Sequence, residues 1–357
     1  MKPALVAEVV FSEWTGDGKI RHPSFQGLRS DKKPTEVRKE TAAASTTNSE
    51  RKTAERISVC GVSISNPGRV MYPAQSPAAN GFTKLDVARF YERIADWIVP
   101  HLEGRPLTLV RCPEGVKAEC FYMKHSKVWA PPALRRVKIQ EKTKVGDYLV
   151  ADDIAAVVSL VQMDVLEIHT WNTCVDKVEL PNRIVFDLDP GAHVPWADVI
   201  EGARLVRRML KTIGLDSFAK TTGGKGLHVV VPLAPRADWR ECLAFSRALA
   251  EALERHDPGL YTTTFAKAGR ERKILVDYMR NNRTNTSVAA FSTRARPGAA
   301  VSMTLKWEEV TPALDPAAWT IATVERRLSS LRRDPWRDYW TCKQRLSAKA
   351  VEAVRQM

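Results

Sequence analysis

Two aspartates, Asp187 and Asp189, stand one residue apart at the end of the apolar run RIVFDLDPG (183–191). Because side chains alternate between the two faces of a β-strand, both carboxylates are expected on the same side of a sheet. Two like charges at that distance repel each other and raise each other's pKa. The pattern therefore predicts a compensating positive charge, either a basic side chain or a pair of divalent cations.

A third aspartate, Asp277, ends the apolar stretch of KILVDYMRNN (273–282), which is predicted to be another strand. Three carboxylates from two strands suit two hard cations, the arrangement that supports in-line phosphoryl transfer. One metal would lower the pKa of an attacking 3′-hydroxyl, and the other would neutralise a triphosphate and its leaving pyrophosphate. The alternative is that Asp187 and Asp189 cap a strand or pair with arginines, and a DxD pattern by itself favours this alternative.

The glycine-rich segment AKTTGGKGLHVVVPL (219–233) indicates a phosphate-binding loop. Paired glycines permit backbone conformations in which successive N–H groups point at one anion. Lys225 adds a point charge, and His228 opens the following strand, where its ring could donate to a phosphate oxygen. The spacing of a P-loop is absent. The alternative is an ordinary tight hairpin with a solvent-facing lysine.

Further basic and aromatic residues surround these motifs, and each has a structural alternative. His169 shares a predicted strand face with Glu167 and Trp171, and a lone histidine is more often structural than catalytic. Cations near Asp277 could bind triphosphate or a nucleic-acid backbone, or form a solvated rim; they are Arg270, Arg272, Lys273, Arg280, Arg294 and Arg296.

Adjacent Phe121 and Tyr122 lie in RCPEGVKAECFYMKHSK (111–127), among the cations Arg111, Lys117, Lys124 and His125. Aromatic rings between cations suit base stacking beside phosphates, although either ring could instead belong to the core.

The composition favours a polyanionic partner. The 357-residue chain carries a net charge of +14 and is 44% hydrophobic, enough for a substantial core. No apolar run approaches the roughly 18 residues of a membrane span. Glu8 and Glu13 lie where a signal peptide would be apolar, so secretion is not expected. The six cysteines form no CxxC pattern and are interpreted as reduced, buried thiols of a cytosolic protein.

The order of elements predicts an α/β or α+β core preceded by a fragment. Residues 1–40 contain two strands, LVAEVVF and KIRHPSF, joined through the turn TGDG, and residues 41–56 form a flexible linker. From residue 57 strands alternate with helices. The predicted helices are residues 83–102 with Thr83 as N-cap, a helix that follows a short element within residues 146–168, residues 196–213, residues 239–256 and residues 320–331.

The order of the motifs VFDLDPG, TTGGKGLHVVVPL, KILVDYMRNNR and STRARPGAAVS resembles the polymerase domain of bacterial DNA ligase D. That family belongs to the archaeo-eukaryotic primase superfamily, and the resemblance covers roughly residues 57–340. ISNPGRVMYP, TKLDVARFY, RCPEGV and FYMKH fall where the family has its N-terminal motifs. The resemblance implies an α/β (α+β), two-lobed, primase-like catalytic core with an RRM-like sheet, followed by a tail over residues 341–357.

The resemblance also implies roles for individual residues. Asp187, Asp189 and Asp277 would be catalytic and would bind two ions, Mn²⁺ or Mg²⁺. The nucleoside triphosphate would be bound by Thr222, Lys225, His228, Arg294, His169 and Arg280. DNA with a 5′-phosphate would be bound by Arg69, Lys84, Arg111, Phe121, Tyr122 and Lys124. Thr222 replaces the usual serine and Arg69 the usual lysine, and an insertion-like stretch, AQSPAANGF, precedes Lys84.

The N-terminal residues VAEVVFSEWTGDGKIRHPSFQGLRSDK resemble the last strands of the oligonucleotide-binding domain of ATP-dependent DNA ligases. The KxDG motif, which carries the nucleophilic lysine of those ligases, is absent from the chain. The expectation is therefore the C-terminal part of a ligase domain, without ligase activity.

The resulting hypothesis is a metal-dependent nucleotidyltransferase that fills gaps and extends DNA ends in bacterial non-homologous end joining. The resemblance implies preference for ribonucleotides, manganese as the best cofactor, and partnership with Ku and with a ligase domain in the same or a separate chain. No membrane contact is expected, and the location would be cytoplasmic, at the nucleoid. The alternatives are a primase that starts chains de novo and a non-catalytic module that binds DNA ends.

Overall fold

The computed structural model describes residues 57–76, 80–126 and 130–356, and the backbone of four strands before them. The chain divides into two units, residues 1–54 and residues 55–357. No helix in these described parts is long and apolar enough to cross a membrane.

The first unit contains two antiparallel strand pairs. β1 (Val6–Val10) pairs with β4 (Ser24–Arg29), and β2 (Glu13–Trp14) pairs with β3 (Ile20–Arg21). The two predicted strands are confirmed, the second one divided between β3 and β4. The predicted TGDG turn and the linker at residues 41–56 lie outside the described residues.

The second unit mixes strands and helices in the order that the sequence predicts. Its strands are β5 Ser58–Val59, β6 Val62–Ser63, β7 Val70–Tyr72, β8 Phe82–Thr83, β9 Leu107–Arg111, β10 Phe121–Met123, β11 Arg135–Gln140, β12 Val145–Val150, β13 Val165–Thr170, β14 Arg183–Pro190, β15 Phe218–Thr221, β16 Leu227–Pro232, β17 Tyr261–Thr262, β18 Ile274–Asp277, β19 Ser287–Val288 and β20 Thr304–Leu305. Its helices are α1 Lys84–Arg93, α2 Ala95–Leu102, α3 Ile154–Gln162, α4 Trp196–Thr212, α5 Trp239–His256, α6 Val324–Ser330 and α7 Ala348–Gln356.

The two largest sheets of this unit each contribute to one of its two main hydrophobic cores. A six-stranded sheet has the order β17-β18-β14-β16-β15-β20, and a four-stranded sheet has the order β10-β9-β13-β19. The six-stranded sheet buries Phe186, Leu188 and Val229 in one core with residues of α4 and α5. The four-stranded sheet shares the other core with residues of α1, α2 and α3. The predicted mixed α/β class with two lobes is confirmed.

Local capping explains where the helices begin. The Thr83 side chain accepts from the backbone N–H of Asp86, whose carboxylate accepts from the backbone N–H of Thr83. Asp238 and Glu241 form the same reciprocal arrangement at the start of α5. Such capping satisfies backbone donors that the first turn leaves unpaired. The predicted N-cap at Thr83 is confirmed, and the helix predicted over residues 83–102 is divided into α1 and α2.

The C-terminal region contains one helix that was predicted and one that was missed. α6 lies within the predicted residues 320–331. α7 lies in the segment expected to form a tail, and its Val354 is fully buried in the core that α5 helps to form. Its short amphipathic pattern gives a weak sequence signal, because packing against α5 rather than propensity stabilises so short a helix.

The expectation that all six cysteines are reduced, buried thiols is wrong. Cys112 and Cys120 form a disulfide, with Cα atoms 4.4 Å apart. β9 and β10 pair antiparallel, with Arg111 opposite Phe121, and continuing this register places the two cysteines opposite each other. Of the four free cysteines in the described residues, Cys242 is buried, while Cys60, Cys174 and Cys342 are partly exposed.

Candidate active site

A row of polar side chains crosses the six-stranded sheet at one level. The register places Asp277 opposite Asp187, Asp187 opposite His228, and His228 opposite Lys220. Residues directly opposite each other in paired antiparallel strands share a face. All four residues are less than a tenth exposed. The fold thus sets two buried acids beside two buried bases.

Arginine side chains compensate the acidic end of this row. Arg280 Nε lies 3.1 Å from Asp187 Oδ2 and 2.9 Å from Asp277 Oδ2, so one guanidinium bridges the two carboxylates. Asp189 is half-exposed, and its Oδ2 lies 3.1 Å from Arg270 Nη2. Basic side chains, one of the two predicted forms of compensation, are therefore present at all three aspartates.

The arginines do not fully balance the acidic charge. Burial and the nearby carboxylates raise the pKa of Asp277 to about 6 despite Arg280. Burial and Asp187 likewise raise the pKa of Asp189 despite Arg270. Burial also opposes ionisation of Asp187, but His228 and Arg280 hold its pKa well below the ordinary range. Additional positive charge would therefore stabilise the ionised forms of these three carboxylates.

This donor set suits divalent cations. No group of three or more His, Cys, Asp or Glu side chains within the described part of the chain is arranged as a ready-made metal site. Carboxylate oxygens are nevertheless the ligands that Mg²⁺ and Mn²⁺ prefer. Burial and neighbouring carboxylates raise the pKa of Asp189 and Asp277, and a bound cation would oppose this by favouring the ionised forms. The residues present fit the predicted ions, on condition that Arg280 and Arg270 share or release their carboxylates.

His228 lies at the centre of the row as a neutral ring. Burial and the neighbouring Lys220 lower its pKa to about 4, and its Nε2 lies 3.3 Å from Asp187 Oδ1. Lys220 Nζ donates to Ser302 Oγ at 2.8 Å. At neutral pH the histidine can therefore donate one ring N–H without adding a full charge.

The glycine-rich loop between β15 and β16 requires glycine at two positions. Gly223 has φ +66°, in the left-handed region, and a Cβ at Gly226 would lie 2.5 Å from the carbonyl oxygen of Leu188. The Thr222 hydroxyl donates to the Gly226 carbonyl at 3.1 Å, and the Thr222 carbonyl accepts from Arg294. In this structure the Thr222 hydroxyl closes the loop, which fixes the position of the backbone beside Lys225.

Glu167 connects two of the predicted nucleotide-binding residues. Its carboxylate lies 2.8 Å from His169 Nε2 and 3.0 Å from Arg294 Nε, and it accepts from the Ala295 N–H at 2.9 Å. Burial favours the neutral acid, yet these partners lower the pKa of Glu167 to about 2. Burial lowers the pKa of His169 despite this contact. Glu167 thus orients both side chains towards the site.

These elements line a polar cleft of about 370 Å³. It brings together two of the three predicted catalytic aspartates, every predicted nucleotide-binding residue and one predicted DNA-stacking residue. These are Asp187, Asp189, Thr222, Lys225, His228, Arg280, Arg294, His169 and Tyr122. Asp277 lies outside the lining, with its carboxylate held by Arg280.

Three of the predicted 5′-phosphate-binding residues form a separate cluster around Asp164. Lys84 Nζ, Arg69 Nη1 and Arg111 Nη2 lie 2.8, 3.6 and 3.8 Å from its carboxylate. Lys84 is only 2% exposed, and its Nζ also donates to the Gln162 carbonyl. Arg69 and Arg111 are the more accessible cations of this group, which we call the cation cluster.

The aromatic pair faces solvent, which argues against a core role. Phe121 is 42% and Tyr122 72% exposed. Arg111 Cζ lies 5.4 Å from the centre of the Phe121 ring, so the cation cluster and the aromatic pair are adjacent. Lys124 pairs instead with Glu141, at 3.0 Å, while the cations that pair with Asp164 are Arg69, Lys84 and Arg111. The structure therefore does not bring Lys124 into the cation cluster.

Sequence reasoning missed Asp164, Lys220 and the role of Glu167. Asp164 has φ +61°, and the left-handed region favours Asp, Asn and Gly. The available signal was an aspartate directly after the apolar stretch IAAVVSLVQM (154–163). Lys220 lies in β15, and its neighbours in the row depend on strand register, which one sequence does not reveal.

Residues 83–336 match the family model of the LigD primase-polymerase domain. The chain belongs to this family. Residues 1–32 match the ATP dependent DNA ligase C terminal region. Among solved structures, the chain resembles the polymerase domain from Mycobacterium tuberculosis Ligase D in complex with DNA, with a TM-score of 0.72 and 30% identity. The match covers 79% of this chain and 99% of that one.

Longer LigD proteins are also similar. The multifunctional non-homologous end joining protein LigD of Pseudomonas aeruginosa is 36% identical over 98% of this chain and 41% of its own length. The protein of the same name from Mycolicibacterium smegmatis is 35% identical over 70% of this chain and 32% of its own length. The chain therefore spans less than half the length of these relatives.

Proposed function

We propose that this chain is a template-dependent nucleotidyltransferase that adds nucleotides at DNA gaps and ends during non-homologous end joining. The observation that carries the proposal is the under-compensated carboxylate cluster of Asp187, Asp189 and Asp277 beside a cleft rich in cations. Membership of the LigD primase-polymerase family supports it. Polymerisation needs these two features together, since acids can hold metal ions while cations bind the triphosphate.

The cleft residues divide into two tasks. Lys225, Arg294 and the loop backbone would bind the triphosphate, and neutral His228 would donate a hydrogen bond to one of its oxygens. The three aspartates would hold two divalent ions, which when bound supply a lowered 3′-hydroxyl pKa and neutralisation of the leaving pyrophosphate. Arg280 would have to move when the two ions bind, because in this structure its guanidinium bridges Asp187 and Asp277.

The cation cluster and the aromatic pair would bind the DNA. A terminal 5′-phosphate carries more negative charge than an internal phosphodiester, and Arg69 and Arg111 would distinguish the two. Phe121 and Tyr122 are exposed enough to stack on bases. The net charge of +14 would attract the rest of the duplex.

The same proposal covers the preferred nucleotide and metal ion, the location, the partners and the absence of nick sealing. We propose a preference for ribonucleotides and for Mn²⁺ over Mg²⁺, action at the nucleoid in the cytoplasm, and cooperation with Ku and a ligase domain. We also propose that the chain does not seal nicks, because the sequence contains no KxDG motif to supply the lysine that carries AMP.

The test is extension of a labelled primer across a short gap with a 5′-phosphate, with Mn²⁺ or Mg²⁺ and ribo- or deoxyribonucleotides. Templated addition is the expected result, strongest with Mn²⁺ and ribonucleotides. Omission of the primer distinguishes a primase, which would still make product. Binding of the gap without any addition would identify a non-catalytic module and overturn the proposal.

Replacing Arg69 with Ala is expected to weaken binding of a 5′-phosphorylated gap roughly tenfold or more, because a charge-assisted contact of about 1.5–3 kcal/mol is lost. The unphosphorylated gap should lose much less. Arg69 suits this test better than Lys84, whose burial beside Asp164 makes its removal a structural change. Fluorescence anisotropy with both DNAs at two salt concentrations measures the difference.

Lys117→Ala is the matched control, since Lys117 is an exposed cation close in sequence to Cys112. It should weaken both DNAs equally, by the salt-sensitive amount of one phosphate contact. Equal losses for the two DNAs in Arg69→Ala would contradict a pocket for the 5′-phosphate.

A further inference from the structure

The disulfide between Cys112 and Cys120 closes the loop that links β9 to β10. Cys112 follows Arg111, a member of the cation cluster, and Cys120 precedes Phe121 of the aromatic pair. The bridge therefore joins two points of the chain, one next to a proposed phosphate-binding residue and the other next to a proposed base-stacking residue.

Hydrogen bonds tie this loop to the cation cluster. The Cys112 N–H donates to the Asp164 carbonyl at 2.9 Å, and Arg69 Nη1 donates to the Pro113 carbonyl at 2.5 Å. The Val116 N–H donates to the Met71 carbonyl at 2.9 Å. The loop backbone thus helps to place Arg69, and movement of the loop would be transmitted to the cluster.

The two cysteines differ in accessibility, which suits an exchange reaction. Cys120 is partly exposed, whereas Cys112 is completely buried. A soluble oxidant or reductant would reach Cys120 first, and Cys112 would act as the resolving partner. In reducing compartments, disulfides that do form are usually catalytic or redox-sensing.

We propose that Cys112 and Cys120 form a reversible thiol–disulfide modification site that sets the affinity for 5′-phosphorylated DNA ends. This inference rests on the proposed function of the cation cluster. With the bridge intact, the loop and both neighbouring groups are held in place before DNA arrives. With the bridge open, DNA binding must also order the loop, and ordering costs conformational entropy.

The redox step is an exchange with a small-molecule disulfide. The Cys120 thiolate attacks one sulfur of the oxidant and releases the first thiolate, leaving a mixed disulfide. The Cys112 thiolate then attacks Cys120 Sγ and releases the second thiolate. The two protons lost by the cysteines pass to these leaving groups, so two cysteine thiols are oxidised while one small disulfide is reduced to two thiols. A dithiol reverses the reaction.

The experiment compares the full chain after treatment with oxidised glutathione and after treatment with dithiothreitol, with each reagent then removed under nitrogen. Intact mass reports the bridge. The reduced form is expected to bind a 5′-phosphorylated gap roughly fivefold more weakly than the oxidised form, because preorganisation is lost. Hydrogen exchange at the Val116 amide should accelerate on reduction, which reports loop mobility without DNA.

Two variants identify the source of the effect. Cys120→Ser should keep the affinity and exchange rate of the reduced form under both treatments. Cys60→Ser, at a partly exposed cysteine outside the loop, should respond like the unmodified chain. Failure of the bridge to form, equal affinities of the two forms, or a redox response that survives in Cys120→Ser would overturn the inference. A further outcome is that neither form prefers the phosphorylated gap, while hydrogen exchange at the Val116 amide still accelerates on reduction. That result would refute the proposed phosphate pocket, and the proposed control of DNA affinity with it.

Discussion

Replacing Asp187 with Asn is expected to lower nucleotide addition by about a thousandfold or more, while binding of gapped DNA is nearly unchanged. Asp187 lies between Asp277 and His228 in the row, opposite both. An amide cannot supply the negative charge that holds a divalent cation. For scale, loss of a single oxyanion-hole hydrogen-bond donor costs about 10²–10³ in rate, and loss of a metal ligand should cost at least as much. Single-turnover primer extension and anisotropy measure the two properties separately.

Asp216→Asn is the matched control. Asp216 is an exposed aspartate paired with Lys211 at 3.2 Å, so the same chemical change is made away from the cleft. It should leave both rate and affinity unchanged. Full extension activity in Asp187→Asn would show that the carboxylate row is structural.

Replacing Glu167 with Gln is expected to lower the free energy of unfolding by about 3 kcal/mol at pH 7, since it leaves the largely buried Arg294 without its acid. The pKa of Glu167 lies near 2, below its ordinary value of 4.5, so the folded state favours the ionised form. The stabilisation is complete above pH 4.5 and disappears as the pH falls towards 2. Chemical denaturation of both proteins at several pH values measures the difference.

Glu325→Gln provides the comparison with an exposed ion pair. Arg93 Nε lies 2.6 Å from Glu325 Oε1, a shorter distance than that between Arg294 and Glu167, but both side chains are more than two-fifths exposed. Solvent screening should limit its effect to about 0.5 kcal/mol or less. A similar loss in the two variants would mean that burial does not strengthen the Glu167 pair.

The sequence predicts the parts of this site that depend on local spacing. Asp187 and Asp189 share a strand face because the period of a strand is fixed, and Thr83 caps α1 because its neighbour Asp86 has the required spacing. The glycine-rich loop is likewise a local feature. Motif order then indicates the family, which implies that these separate segments meet in one cleft.

The remaining features depend on which distant segments become neighbours. Arg280 bridges Asp187 and Asp277 only because β18 pairs with β14 in one register. The Cys112–Cys120 bridge depends in the same way on the register of β9 and β10. Lys84 has the charge expected for phosphate binding, yet its burial beside Asp164 follows from packing that its local sequence does not reveal.

The row across the six-stranded sheet also constrains how the protein reaches its active form. β14 and β18 are neighbours in space, but α4, β15, β16, α5 and β17 lie between them in the chain. Such non-local pairing is slow, because the intervening chain must first form a closed loop. Loop closure costs conformational entropy before any contact between the two strands compensates for it. A chain that has joined β14 to β16 holds Asp187 and His228 but not Asp277. The complete acidic cluster is therefore a property of the finished sheet, and a partly folded molecule lacks the complete site that the proposed nucleotide addition requires.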